Sequence, residues 1–156
     1  GIIRHMPIGL GEPVFDKLDA LLAQAMFSVG AVKGFEIGDG FGAAFAFGSD
    51  NNDAFISDTG GHISKQTNHA GGILGGMSDG SDITYRVAVK PTPSIARPQS
   101  TVNTAKEPVT VEIHGRHDPI IVPRAVVVIE SMAALTVADL LLRNTSARLD
   151  SLKKIY

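Results

Sequence analysis

Three short segments concentrate the residue types that do chemistry. Gly115-Arg116-His117-Asp118-Pro119 is the densest set of ionisable groups in the 156-residue chain. A guanidinium can grip a carboxylate or phosphate in a forked geometry. Histidine is the side chain that changes charge near neutrality, and Asp118 could orient His117 or relay a proton. The same run also reads as a turn closed by a local Arg116–Asp118 pair. Lys90-Pro91-Thr92-Pro93-Ser94 places an ammonium and two hydroxyls on a stiff turn. Proline fixes φ, so these donors need little further ordering, which suits an anion; a rigid strand exit with a solvent-facing lysine is the plainer alternative. Asn68-His69-Ala70-Gly71-Gly72-Ile73-Leu74-Gly75-Gly76 is the densest glycine run. Without Cβ atoms, its N–H groups could press against a flat ring or a phosphate, or the run could simply form a loop and a bend. It has no Gly-Lys-Ser/Thr end, and no G-x-G-x-x-G opens a helix, so neither phosphate-loop pattern applies.

Other polar clusters carry less. Asp50-Asn51-Asn52-Asp53 lacks the spaced Gly and terminal Glu of a calcium loop and reads as a surface turn. His62 and His69 follow no metal-ligand spacing, so no metal is expected. Ser28, Ser64 and Ser78 sit in no nucleophile elbow. The absence of cysteine excludes a disulfide framework, a thiolate nucleophile and Cys-ligated zinc or iron–sulfur clusters.

The elements that must position these segments follow from periodicity. Gly11-Glu12-Pro13 is expected to open a helix, and Val14, Leu18, Leu21, Leu22, Ala25 and Met26 share one face. Ala31–Ile37 and Ala43–Phe47 read as strands around a Gly38-Asp39-Gly40 turn, and residues 49–67 as a polar loop. Ile83–Val89 alternates, with Ile83, Tyr85, Val87 and Val89 on one side, and Val109–Ile113 does likewise. A long helix is expected from Arg124 to Arg143, after Pro123. This order predicts an α+β fold with antiparallel pairing, as one domain over 1–143 with a polar tail over 144–156.

Composition narrows the function classes. The 14 basic and 16 acidic residues leave a net charge of −2, against a nucleic-acid binder. The apolar run 125–142 carries Glu130 and Asp139, each costing about 2.5–3.5 kcal/mol at a bilayer centre, so a core or subunit-interface helix is expected and no membrane. No secretory leader pattern opens the chain, and Gly1 in place of Met is consistent with a processed or trimmed start. Thirteen of the 17 glycines lie between Gly30 and Gly80, a density that asks for positive φ angles or close backbone approach.

The order of the motifs adds what no single motif carries. Gly9-Leu10-Gly11-Glu12-Pro13-Val14-Phe15-Asp16-Lys17-Leu18-Asp19-Ala20 and Ala31-Val32-Lys33-Gly34-Phe35-Glu36-Ile37-Gly38-Asp39-Gly40-Phe41 resemble chorismate synthases. So do the blocks 68–76, 90–95, 115–119 and Val122-Pro123-Arg124-Ala125-Val126, and the likeness runs from Pro7 to about Leu142. The resemblance implies an FMN-dependent lyase at the last step of the shikimate pathway. Such an enzyme converts 5-enolpyruvylshikimate 3-phosphate to chorismate by 1,4-elimination of phosphate, with the flavin kept reduced. By the family pattern Gly30, Ala31, Gly75, Lys90, Pro91, Thr92, Pro93, Ser94 and Arg116 match FMN-contacting positions, and Asp118 matches a catalytic aspartate near flavin N5. It further implies a β-α-β sandwich, with a central helical layer between antiparallel sheets, a homotetramer with FMN near subunit boundaries, and a cytoplasmic location.

Two departures stand out. Ile120 occupies a position where the family commonly has Cys, which points to packing there. The chain is also less than half the family's length and corresponds to its carboxy-terminal half. None of His5, His62, His69, His114 or His117 matches the family's two catalytic histidines. A fragment acting only in folding or subunit association is therefore the alternative to an enzyme half.

Overall fold

The computed structural model describes residues 1–57, 59–61, 63–147 and 149–154. His62, and Arg148, Ile155 and Tyr156 of the expected tail, lie outside the described residues. The centre is a three-stranded antiparallel sheet in the order β1 (Ile2–Ile3), β7 (Ile83–Val89), β2 (Val32–Ile37). The alternation of β7 does what its sequence predicts: Ile83 and Tyr85 are buried and Val87 and Val89 half-buried, while Arg86 and Ala88 face out. Opposite Arg86 in the register lies Glu36, and the two form an ion pair at 3.0 Å.

Helix α1 (Leu18–Phe27) packs on this sheet through Leu18, Leu22 and Met26, all 0% exposed. That i, i+4, i+8 stripe is the predicted one, but the helix starts five residues later than Pro13. Gly11 at φ +120° and Val14 at φ +69° hold the entry in turns, and a left-handed residue cannot belong to a right-handed helix. The first helical N–H, of Leu18, instead donates to the Gly76 carbonyl at 2.8 Å, which satisfies one donor that a helix start leaves open. Met26 and Leu22 share a core with Ile129, Ala133 and Leu140 of α2, which spans Val122–Ser146. Its 25 residues exceed the expected span at both ends. By length and composition α2 could cross a membrane, and Val127, Leu135 and Leu142 are 64–71% exposed. The short α3 (Leu149–Leu152) follows.

Two further expectations fail. Ala43–Phe47 forms no strand; Gly40–Phe45 is a 3₁₀ helix. Among the described residues no strand pairs with this segment, and local turns close it instead, Gly42 N–H donating to the Asp39 carbonyl at 2.9 Å. The loop expected over 49–67 contains a hairpin, β3 (Phe55–Ser57) with β4 (Ile63–Lys65). Three-residue strands of mixed polarity carry too little periodicity to announce themselves. The strand expected at Val109–Ile113 is β9 (Pro108–Val111), paired with β8 (Gln99–Val102) in an exposed hairpin. A third ribbon joins β5 (Ile73–Leu74) to β6 (Met77–Ser78). The α+β class and antiparallel pairing therefore hold, in several small sheets and helices.

Candidate functional site

The glycine density resolves first into backbone packing. Gly75 and Gly76, at φ +59° and +86°, form the two-residue turn of the β5–β6 hairpin, where both central residues need positive φ. A Cβ on Gly38 would strike the His69 carbonyl, and one on Gly71 the Gly38 backbone. Turn and loop thus lie directly against each other, and Asp39 N–H donates to the His69 carbonyl at 2.9 Å.

Of the cationic candidates, Lys90 lies at the opposite end of β2. Val32 pairs with Val89, and the Lys90 N–H donates to the Ala31 carbonyl at 2.7 Å, so two predicted segments leave the sheet side by side. Ala31, Lys33, Lys90-Pro91-Thr92-Pro93 and Ile121 line a cleft of about 300 Å³, and residues 90–95 run as irregular chain rather than the expected turn. Two ammonium groups, one hydroxyl and a stiff proline frame suit an anionic ligand. Ala31 is left-handed at φ +69°, a conformation disfavoured for any residue with a Cβ. Beside it a Cβ on Gly30 would meet only open space. Ser94 follows this segment, half-buried and outside the cleft lining.

No residue of the 115–119 segment lines this cleft; Ile121, two residues beyond it, does. Asp118 Oδ2 lies 2.6 Å from Arg124 Nη1, on the first turns of α2, and not against Arg116. The local Arg116–Asp118 pair entertained from sequence is thus replaced by a bond to the helix. Arg116 is exposed and in no ion pair among the described residues. Gly75 lies apart from this cleft's lining, in the β5–β6 turn beside the start of α1.

A second polar assembly escaped sequence reasoning. Asp53, expected in a surface turn, is buried: its side chain is 4% exposed. Asp53 Oδ1 accepts hydrogen bonds from the Thr67 hydroxyl and the His69 N–H, both at 2.8 Å, and Oδ2 from the Ala70 N–H at 2.9 Å. Lys65 Nζ, 3.5 Å from Asp53 Oδ2, binds Asp79 Oδ2 at 2.6 Å. Burial alone would raise the Asp53 carboxyl, but the Ala70, His69 and Thr67 donors and the Lys65 charge overcome it and hold it at about 2. Asp79 is also lowered: desolvation opposes, while Lys65 and the Ser81 donors prevail. Nearby, His69 Nδ1 lies 2.7 Å from Asp39 Oδ2. No local sequence signal marks these residues, because they come from four separated segments.

An α+β domain of small antiparallel sheets with a cationic cleft at a strand end is the class that fold and site define. Comparison with known proteins makes it specific. The chain belongs to the chorismate synthase family, whose model, "Chorismate synthase", matches residues 1–142. It is 64% identical over 155 residues to the chorismate synthase of Lachnoclostridium phytofermentans, covering 99% of this chain and 42% of that protein. Identity to the Agathobacter rectalis chorismate synthase is 61%, with the same coverage of 99% and 42%. A solved structure, "Crystal Structure of Chorismate Synthase", superposes with a TM-score of 0.71 at 33% identity, over 98% of this chain and 38% of that one. The chain therefore spans about two-fifths of the length of the curated relatives it matches.

Proposed function

We propose that this chain supplies part of the reduced-FMN site of a chorismate synthase, acting in the 1,4-elimination of phosphate from 5-enolpyruvylshikimate 3-phosphate. The observation that carries the reading is the Ala31–Lys90 strand-end cleft, formed by two of the family-like blocks. Its donor set fits the cofactor's anionic end: Lys33, Lys90 and Thr92 offer cations and a hydroxyl, and Gly30 leaves room. Gly30, Ala31, Lys90, Pro91, Thr92, Pro93, Ser94 and Arg116 would hold FMN, with Gly75 contributed from the hairpin turn. Reduced flavin supplies electron density for an elimination with no net redox change. Asp118, fixed by Arg124, would hold or accept a proton close to it. Residues 1–143 would form the family domain, α1 and α2 belonging to the central layer of a β-α-β sandwich in a homotetramer, with 144–156 as a tail.

The reading is tested in a family-length protein carrying this chain. Arg116→Ala should weaken FMN binding about tenfold or more, since a charge-assisted hydrogen bond contributes roughly 1.5–3 kcal/mol. Asp118→Asn should spare binding and slow single-turnover elimination. Unchanged flavin affinity together with equal losses of melting temperature would leave both residues merely structural. The 156-residue chain alone should make no chorismate, because losing general-acid residues costs about 10²–10⁴-fold. Turnover by it would refute that expectation.

A further inference from the structure

We infer that Lys65 is a positioning residue: its buried ammonium, shared by Asp53 and Asp79, locks the glycine loop 68–72 and with it the hairpin turn at Gly75. The link to Gly75 as a flavin contact rests on the function proposed above; the locking of the loop does not.

The geometry encloses the loop from both sides. On one side Asp53 takes the N–H groups of His69 and Ala70, together with the Thr67 hydroxyl. On the other, the Asp79 N–H donates to the Gly72 carbonyl at 3.1 Å, and its Oδ1 accepts from Ser81 N–H at 2.9 Å. Lys65 joins the two carboxylates, and its own side chain is 3% exposed. Two carboxylates so close and so dry would repel each other strongly without a cation between them. The loop itself has little side-chain mass to anchor it. Gly71 and Gly72 sit at φ +65° and +81°, so their conformation is retained only if neighbours enforce it. Lys65 reaches this point from β4, the hairpin whose Phe55 and Ile63 are 64% and 68% exposed. That hairpin adds little to the core; its Lys65 reaches the glycine loop through Asp53 and Asp79, which themselves bond to the loop backbone. Two residues beyond Gly72, β5 ends and the Gly75 turn begins.

Amide hydrogen exchange on the 156-residue chain tests this, with the β2–β7 ladder amides as the internal reference. Lys65→Met keeps length and removes charge, and should speed exchange at His69 and Ala70 roughly tenfold or more while the ladder is unchanged. Asp79→Asn, which leaves the Lys65–Asp53 pair in place, should speed exchange at the residue-79 N–H held by the Gly72 carbonyl, with less effect at His69 and Ala70. Lys65→Arg should restore much of the protection, because a cation rather than bulk is required. Exchange in Lys65→Met equal to the parent overturns the inference, as does loss spreading equally to the ladder in both Lys65→Met and Asp79→Asn. Reduced-FMN titration of the family-length protein separates the functional reading. Weakened binding in Lys65→Met is expected; absence of binding by the parent refutes the flavin site, and the exchange result still decides the role of Lys65.

Discussion

Asp53→Asn isolates the charge of the buried carboxylate while keeping its shape. Asp53 Oδ1 receives the Thr67 hydroxyl and His69 N–H, and Oδ2 the Ala70 N–H with Lys65 beyond it. Whichever way an asparagine amide is turned, its NH₂ meets a backbone N–H, donor against donor. One charge-assisted bond and the Lys65 attraction are lost, a cost of about 2–3 kcal/mol. Linkage through the depressed carboxyl gives a similar size. The carboxyl lies at about 2 in the folded chain against 3.8 as the ordinary value, and this difference corresponds to about 2–3 kcal/mol. Because the folded value is depressed, this stability is complete well above 3.8 and is lost as pH falls through about 2. Urea unfolding at neutral pH should therefore show the variant weaker by about 2–3 kcal/mol. The gap between the two proteins should narrow below about pH 4 and vanish below about 2. A neutral-pH difference under about 0.5 kcal/mol, or a gap that does not close with acid, would refute the assignment.

Three further outcomes follow from backbone, core and surface. Ala31→Gly relieves the left-handed φ of +69° and should stabilise the chain by about 0.5–1 kcal/mol, the strain relieved exceeding the added chain entropy; a lowered melting temperature would contradict this. Leu22→Ala, at 0% exposure between sheet and helices, should cost about 2–5 kcal/mol in denaturant unfolding. The exposed valines and leucines of α2 should drive association, so light scattering should give a mass above 16.4 kDa that rises with concentration. A constant 16.4 kDa across a wide range would count against it.

Local periodicity was enough for the elements whose side chains repeat. Leu18, Leu22 and Met26 recur at the helical period, and Ile83 to Val89 alternates, so α1 and β7 were legible before any contact was known. The same holds for α2, and the ordered motif blocks carried the family. Tertiary structure decided the rest. The start of α1 depended on a carbonyl of Gly76, and the 3₁₀ turn at Gly40–Phe45 on local bonds where, among the described residues, no strand pairs with it. Asp118 chose Arg124 across the turn rather than its chain neighbour Arg116. Asp53 looked like one more polar residue in Asp50-Asn51-Asn52-Asp53, and nothing in that run distinguishes it from Asp50. It became the buried hub because Lys65, Thr67, His69 and Ala70 converge on it, 12 to 17 residues along the chain. Periodic patterns record how each residue meets solvent on its own element. Ion pairs and donor networks depend on which distant segments meet, and that is set only when the chain closes on itself.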